Sequence, residues 1–252
     1  MQRHFKKTLF AIIIMGLMGN FSISQASWFS IEESPLTYYY IPLDSNTNLK
    51  DFGSLLWQTA KDEKCYGILL LIDNSGGAAG VYSYLHDMVR RIRKIKPVVA
   101  LITGNAVSGG YWVASAADYI IAQSASDIGS IGVYREIQCW SDVHIESGAY
   151  KAKMSAYVLT AGKYKAVASP YKELSKEDEA YLQEEIEKTY QAFLASVAFD
   201  RNLDVARADE WADGKTFIAS EALKLKLIDE IGTRFEAEDK LTALMRMRRK
   251  NK

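Results

Sequence analysis

Two apolar segments, each followed by a glycine-rich turn, constrain the fold of this chain more than any other feature. The first is the run 66–72, which is typical of a strand buried on both faces of a parallel sheet and which ends in the turn 73–77. The second is the run 98–102, followed by a loop and then by Ser-Gly-Gly at 108–110. Parallel strands need crossover connections, so this pattern predicts an α/β fold of repeated strand-turn-helix units.

Further elements follow from periodicity and capping signals. Apolar residues at 85, 88, 89, 92 and 95 have helical spacing, and the bases on the opposite face of that helix are expected to be solvated. Ser175, with Asp178 three residues later, predicts a capping box at the start of a long helix. Shorter helices are predicted over 54–61 and 220–225, and strands over 36–43, 119–122, 128–133 and 156–160, whereas 134–154 is ambiguous.

The first 26 residues have the organisation of a secretory signal peptide. Three bases precede an apolar run over 8–19, which is shorter than the ~20 residues of a spanning helix. The small residues Ser24 and Ala26 predict cleavage after Ala26, although Phe21 and Ile23 extend the apolar stretch enough for a retained membrane anchor. Either reading predicts an extracytoplasmic location, with a folded domain over 27–240 and a solvated basic tail over 241–252 that has at most a weak role at an anionic membrane surface.

Composition excludes several classes of protein. The 31 basic and 31 acidic residues balance, which argues against a nucleic-acid binder. Two cysteines rule out a disulfide scaffold or a four-thiolate zinc site, and three histidines make a histidine-rich metal centre improbable, so we expect no metal and no cofactor. Cys65 and Cys139 could pair in an oxidising compartment, but separated cysteines are more often buried apolar residues.

Ser108 is the first candidate for chemistry. A serine at a strand-to-helix turn is exposed, and the backbone N–H groups of Gly109 and of Gly76 or Gly77 could stabilise an oxyanion. The alternative is that Ser108 caps a helix and the glycines only allow close packing. The surrounding residues do not form the Gly-x-Ser-x-Gly elbow, and neither turn has a Gly-x-Gly-x-x-Gly or Walker pattern.

A nucleophilic serine requires a base. His86 and His144 have no surrounding active-site motif, and His86 lies in the arginine-rich helix, where it is either at the surface or hydrogen-bonded in the interior. A lysine can replace histidine if burial leaves it uncharged. Lys163 and Lys165 occupy a loop two residues apart, so periodicity does not distinguish them, and either could be an ordinary surface lysine.

Four blocks of sequence, occurring in order over 68–77, 106–133, 161–183 and 213–232, resemble the signal peptide peptidase A family of serine proteases in its short single-domain form. The resemblance extends from about Tyr66 to Gly232. It implies a ClpP/crotonase-like α/β fold and a Ser-Lys catalytic dyad. One departure from the family pattern is Ser75, which replaces the proline of the first glycine turn and leaves open which amide completes the oxyanion hole.

The same resemblance assigns roles to individual residues. It implies that Ser108 is the nucleophile and that Lys165, in the Gly-x-x-Lys segment before Ser169-Pro170, is the general base. It also implies that Ser130 orients the lysine, and that the oxyanion donors are Gly109 and one amide of Gly76 or Gly77. Tyr111 and Trp112 could line an apolar specificity pocket, although core packing explains them equally well.

The implied activity is cleavage of signal peptides and other unfolded, apolar segments at the membrane. Members of the family assemble into homo-oligomeric rings in which neighbouring protomers can complete the dyad. Two other functions remain open at this stage. The first is a crotonase-type acyl-CoA hydratase or isomerase, which a secretion signal disfavours because acyl-CoA is cytoplasmic. The second is a non-catalytic scaffold that binds membrane proteins, which the presence of both Ser108 and Lys165 disfavours.

Overall fold

The computed structural model describes residues 37–138, 144–147, 150–153 and 158–250, which form nine strands and seven α-helices. The strands are β1 (Thr37–Asp44), β2 (Cys65–Asn74), β3 (Val98–Val107), β4 (Tyr119–Ala122), β5 (Asp127–Gly129), β6 (His144–Ser147), β7 (Tyr150–Lys153), β8 (Thr216–Ile218) and β9 (Glu230–Ile231). The helices are α1 (Leu49–Lys61), α2 (Ala79–Ile92), α3 (Gly109–Ser115), α4 (Lys176–Arg201), α5 (Ala208–Trp211), α6 (Ala219–Lys224) and α7 (Arg234–Lys250).

Seven of these strands form one sheet. Strands β1, β2, β3, β4 and β9 pair in parallel in that order, β5 also pairs in parallel with β3, and β8 pairs antiparallel with β5. Strands β6 and β7 form a separate antiparallel pair. Helices α1 and α2 provide the crossovers between the first three parallel strands, which confirms the predicted strand-turn-helix organisation.

The sheet is covered on both faces. Ile68, Leu70 and Ile72 of β2 belong to the larger apolar core, which also contains residues of α1 to α4. Leu69, which points to the opposite face, packs in a smaller core with Leu241 and Met245 of α7. Residues 241–250, expected to be a solvated tail, are therefore the second half of a packed helix, because its apolar residues recur every four positions among the charged ones.

Several element boundaries differ from the predicted ones. The loop expected over 103–107 continues β3 to Val107, because the strand changes its partner from β4 to β5 instead of ending. Helix α1 begins at Leu49 rather than at 54, because the Asn48 side chain accepts a 3.1 Å hydrogen bond from the N–H of Lys50. Helix α2 ends at Ile92, so Ile95 is exposed beyond it and does not join the apolar stripe.

Some predictions fall partly or wholly outside the described residues. These are the amino-terminal signal or anchor, Cys139 and its pairing with Cys65, and the first part of the strand expected over 156–160, whose last three residues are not in a strand. Cys65 itself is buried at the start of β2. In the part of the chain that the structure describes, no helix carries an apolar stretch long enough to cross a membrane.

Candidate active site

The two glycine-rich turns touch each other at the carboxyl edge of the sheet, as their positions after adjacent parallel strands predict. A Cβ atom on Gly76, which has a φ of 88°, would lie 2.5 Å from the backbone nitrogen of Gly109 and 2.9 Å from the Cβ of Ser108. No side chain fits in that space. The contact therefore requires glycine at position 76 and places the first turn beside Ser108.

Ser108 has a strained backbone conformation. Its φ of 51° and ψ of −125° are rare for a residue other than glycine, and such strain persists only where the surroundings enforce it. Here its N–H donates a 2.8 Å hydrogen bond to the carbonyl oxygen of Gly129, and its carbonyl accepts one of 3.0 Å from the N–H of Trp112. The Ser108 hydroxyl makes no capping bond to α3, so helix capping does not explain this serine.

Close packing also requires the two glycines after Ser108. A Cβ on Gly109 would lie 2.4 Å from the ring of Tyr82 in α2, and a Cβ on Gly110 would lie 2.2 Å from the carbonyl oxygen of Asn74. These contacts bring the first turn of α3 directly against the end of β2. The geometry places the turn after Ser108 next to the turn after β2.

Hydrogen bonds distinguish the two candidate amides of the first turn. The N–H of Gly76 donates a 2.9 Å hydrogen bond to the Oδ1 atom of Asn74, and the Tyr82 hydroxyl donates one of 2.8 Å to the same atom. The Asn74 side-chain amide in turn donates to the carbonyl of Asp44 over 2.9 Å. Among the described residues, the N–H groups of Gly77 and Gly109 have no acceptor, and they are therefore the amides available to a ligand beside Ser108.

Ser108 borders two cavities. The larger, of about 870 Å³, also includes Ser130 and is walled by residues of α4 and by the segment 212–214. The smaller, of about 160 Å³, lies between Ser108 and the stacked rings of Trp112 and Phe193, whose centroids are 4.3 Å apart. A substrate in the larger cleft could thus place one apolar side chain in the smaller pocket.

The two aromatic residues after the glycines have different positions. Trp112 lines the smaller cavity, as the pocket hypothesis expects. Tyr111 lines neither cavity: it is fully buried, and its hydroxyl donates a 2.7 Å hydrogen bond to the carbonyl of Leu227. Core packing, the alternative considered for Tyr111, therefore explains this residue, and its expected place in a specificity pocket is wrong.

Ser130 lies in the same cleft as Ser108. It too has a positive φ, of 48°, and its N–H donates a 2.7 Å hydrogen bond to the carbonyl of Lys215. The preceding Gly129 accepts the N–H of Ser108. The segment that carries Ser130 is thereby tied directly to the serine turn.

Lys165 does not line either of the cavities that Ser108 borders within the same chain. It is exposed, in a series of turns. Its neighbour Lys163 forms an ion pair with Glu177, and Tyr164 stacks on Tyr181 with ring centroids 4.3 Å apart. These contacts attach the lysine segment to the first turns of α4.

His86 does not supply a base to the described cleft. His86 is buried beneath Trp112, and its Nε2 atom lies 2.7 Å from the buried carboxylate of Asp200, which Arg90 and Arg93 also contact. His86 is thus a hydrogen-bonded core residue, and these two arginines are partly buried rather than fully solvated. His144 lies in β6.

The lining of the two cavities contains no lysine or histidine from the described part of the chain. Its carboxylates are Glu187 and Asp213, and a hydrogen bond from Lys215, together with its charge, holds the pKa of Asp213 below its usual value. The described cleft therefore holds Ser108, two free amides and two carboxylates, but neither a lysine nor a histidine from the described residues. Sequence reasoning missed the supporting residues Asn74 and Tyr82, of which only Asn74 adjoins a recognisable motif.

A parallel sheet with glycine-rich turns at its carboxyl edge, a strained serine before a short helix and free amides beside it defines this protein as an α/β protein of the ClpP/crotonase-like class. Residues 90–248 match the model of peptidase family S49. The chain belongs to this family, which confirms the resemblance drawn from the sequence.

Three proteins with similar sequences are named as proteases or as a peptidase. The chain is 36% identical over 191 residues to a putative protease of Methanocaldococcus jannaschii, covering 76% of this chain and 60% of that protein. It is 30% identical to protease 4 of Haemophilus influenzae, covering 81% of this chain and 32% of that protein. It is 29% identical to a putative signal peptide peptidase SppA of Enterococcus faecium, covering 77% and 55%. The chain thus spans less than two thirds of each of these relatives.

Proposed function

We propose that this protein is a serine endopeptidase in which Ser108 attacks the carbonyl carbon of a peptide bond. The observation that carries the proposal is the strained conformation of Ser108, which leaves its hydroxyl uncapped at the mouth of an open cleft. Sharp strand-to-helix turns of this kind expose the nucleophile in other hydrolases. Membership of a peptidase family supports the same chemistry and disfavours the acyl-CoA reaction.

The oxyanion that forms on this attack is stabilised by the amides of Gly109 and Gly77. Both N–H groups are available among the described residues, whereas the amide of Gly76 is bonded to Asn74. Loss of one such donor in other enzymes costs on the order of 3 kcal/mol of transition-state stabilisation. Asn74 and Tyr82 act as positioning residues here, because they hold the first glycine turn against Ser108.

The general base is Lys165, supplied by a neighbouring copy of the chain in a homo-oligomeric ring. Two observations support this step: Lys165 is exposed in its own chain, and the lining of the described cleft contains neither a lysine nor a histidine. A lysine accepts a proton only where burial disfavours its charged form, and an interface between copies provides such burial. Ser130, in the cleft beside Ser108, orients the incoming uncharged amine of Lys165.

The reaction then proceeds in two steps. The amine of Lys165 accepts the proton of the Ser108 hydroxyl as its oxygen attacks the carbonyl, and the protonated lysine gives that proton to the leaving amine. Water, deprotonated by the same lysine, then hydrolyses the acyl-enzyme and restores the Ser108 hydroxyl. No metal or cofactor takes part in either step.

The substrates are cleaved signal peptides and other unfolded, apolar segments, met on the extracytoplasmic side of a membrane. The smaller pocket supports an apolar preference, since Trp112, Phe193, Val133 and two alanines line it. The relative named as a putative signal peptide peptidase supports the substrate class.

Covalent labelling tests this proposal. We expect a fluorophosphonate probe to label the purified oligomer at Ser108 and to label neither the Ser108→Ala nor the Lys165→Ala variant. A matched Lys163→Ala variant, which removes the neighbouring lysine, should keep at least about half of the labelling rate, because an exposed ion pair contributes little. An oligomer of intact sequence that neither reacts with the probe nor cleaves a synthetic signal peptide would instead be a non-catalytic scaffold.

A further inference from the structure

The amino edge of the sheet, opposite the candidate active site, is basic. A cleft of about 340 Å³ opens there, lined by residues that include Lys61, Lys96, Arg248 and Arg249. The whole chain has equal numbers of basic and acidic residues, yet the segments 61–66, 94–96 and 246–250 together contain eight bases and two acids. We call the exposed surface of these three segments the basic edge.

Carboxylates offset only part of this charge: Asp62 and Glu63 are the two acids of the three segments. Within the described residues, no ion pair involves Lys61, Arg248 or Arg249. Lys61 lies over the ring of Trp57, 5.0 Å from its centroid, and Arg248 donates a hydrogen bond to the carbonyl of Arg93. Their positive charge is therefore available to an anionic partner.

Exposed apolar side chains lie among these bases. Tyr66 and Ile95 line the same cleft and are 44% and 45% exposed, and Met247 of α7 is 61% exposed. Bases interspersed with tyrosine and aliphatic side chains are the composition that adsorbs to the interface of an anionic bilayer. A soluble anion would bind to the charged groups but would not bury the three exposed apolar side chains.

The path of the chain favours the same partner. Thr37, the first described residue, pairs with Cys65 at the beginning of β2, so residues 1–36 join the fold at the basic edge. The apolar run 8–19, which the sequence predicts to be a signal peptide or an anchor, belongs to that segment. A retained anchor would therefore enter the fold at this edge.

The opposite edge carries several carboxylates. Strand β1 ends at Asp44 and Asp73 pairs with it in β2, and the cleft beyond them is lined by Glu187 and Asp213. The ten residues of β3 separate the two edges by roughly 30 Å at ~3.3 Å per residue. An anionic surface thus attracts the basic edge, and the length of the sheet holds the end that carries Ser108 away from that surface.

We propose that the basic edge docks on bilayers that contain anionic phospholipid and that it turns the catalytic cleft away from the headgroups. This inference does not depend on the peptidase mechanism. If the protein does cleave apolar segments, the proposed orientation requires each segment to leave the bilayer before it reaches Ser108.

Vesicle partition tests the proposal on the full chain. The variant Lys61→Gln/Arg249→Gln/Lys250→Gln removes three exposed bases that make no hydrogen bond within the described residues. We measure the ratio of partition into vesicles with 30% phosphatidylglycerol to partition into pure phosphatidylcholine, in which the contribution of the apolar run 8–19 cancels. Each base near an anionic surface changes partition about fivefold, so the triple variant should lower the ratio by roughly 100-fold in ~0.05 M salt and by much less in ~0.5 M.

A matched variant, Lys188→Gln/Arg207→Gln/Lys224→Gln, removes the same charge from exposed sites elsewhere and should change the ratio less than about threefold. Equal losses in the two variants would overturn the proposal, since net charge alone would then explain binding. Full release of the protein by millimolar inorganic phosphate at constant ionic strength would identify a discrete anion site and would also overturn it. Thermal unfolding midpoints establish that both variants are folded.

Orientation is tested by labelling. Met247→Cys on the basic edge and Tyr134→Cys at the cleft each receive a fluorophore, in a Cys139→Ser background, because Cys65 is buried. On vesicles that contain nitroxide-labelled lipid, we expect strong quenching at 247 and little at 134. The reverse pattern, or equal quenching at both positions, contradicts the proposed orientation.

Discussion

The hydroxyl of Tyr82 donates a 2.8 Å hydrogen bond to the Oδ1 atom of Asn74, which also accepts the N–H of Gly76. The same hydroxyl lies 3.1 Å from the carbonyl oxygen of Gly76, and the face of the Tyr82 ring fills the space beside Gly109. One side chain in α2 therefore contacts both glycine-rich turns. It sets the position of the first turn relative to Ser108.

We expect Tyr82→Phe to reduce peptidase kcat/KM about tenfold, an effect of ~1.4 kcal/mol on the transition state. The substitution keeps the ring against Gly109 but removes one of the two hydrogen bonds that the Asn74 Oδ1 atom accepts, so the first turn and the amide of Gly77 are held less firmly. Tyr84→Phe is the matched control, because Tyr84 is an exposed tyrosine two residues further along the same helix. This variant should retain full activity. Identical kinetics for the two variants would show that the hydroxyl does not position the turn.

Gly109→Ala should destabilise the protein, whereas Gly80→Ala should stabilise it slightly. The new methyl group at 109 would overlap the ring of Tyr82, and overpacking of this kind costs roughly 1–3 kcal/mol. Gly80 lies in α2 with open space around its Cβ position, and alanine there gains up to ~1 kcal/mol of helix propensity. Urea denaturation measures both free energies of unfolding, and effects of the same sign would refute the packing argument.

Asp200→Asn tests the buried ion network behind the smaller pocket. The Asp200 carboxylate is fully buried and contacts His86, Arg90 and Arg93, so its loss leaves two guanidinium groups without their anionic partner. Breaking such a network costs on the order of 3 kcal/mol. The control is Asp87→Asn, at an exposed carboxylate 3.2 Å from the other nitrogen of His86, which should lower the free energy of unfolding by less than about 1 kcal/mol. Thermal unfolding of both variants measures these losses.

The capping box of α4 predicts a pH dependence of stability. Hydrogen bonds from Lys172 and from Ser175 hold the pKa of Asp178 below its usual value, so the ionised carboxylate stabilises the folded state above that value. The wild-type protein should therefore be more stable than Asp178→Asn at pH 7. This difference should shrink as the pH falls below about 4 and vanish below the folded pKa. Urea unfolding over pH 7 to pH 3 measures it, with Glu179→Gln as a neighbouring first-turn control.

Much of this fold can be predicted from local sequence patterns. The apolar run 66–72 and the Ser175–Asp178 capping box each depend on contacts within one element, and both predictions are confirmed. The extension of β3 to Val107 could not be predicted in this way, since it depends on pairing with β5, more than twenty residues away. The burial of Leu241 and Met245 in α7 could not be predicted for a related reason. These two residues lie among charged residues whose side chains turn outward.

Some residues of the candidate site can likewise be predicted from local sequence, and others depend on tertiary contacts. The serine and the glycines are recognisable because a tight turn restricts the residue type at each position. The family resemblance then assigns a role to each of them. Tyr82 carries no such local signature, because its role follows only from the contact between α2 and the two turns. The placement of Lys165 relative to Ser108 is not a property of one chain in our proposal, so no single-chain pattern could reveal it.

Mixing two inactive variants tests whether neighbouring copies share the dyad. Ser108→Ala retains Lys165, and Lys165→Ala retains Ser108, so neither homo-oligomer has a complete dyad. In a head-to-tail ring each serine meets the lysine of one neighbour, and after co-assembly of equal amounts about a quarter of the interfaces contain both groups. We expect activity on a synthetic signal peptide to recover to about that fraction of wild type once subunits have exchanged.

The recovery should depend on assembly, which separates it from trace contamination by wild-type protein. Simple mixing without denaturation or exchange should give no activity, and the double variant Ser108→Ala/Lys165→Ala mixed with either single variant should give none after exchange. If the dyad instead formed within one chain, no combination of the two single variants would recover activity, because every chain would lack one of its groups. The exposed position of Lys165, away from both cavities that Ser108 borders, is the reason to expect recovery.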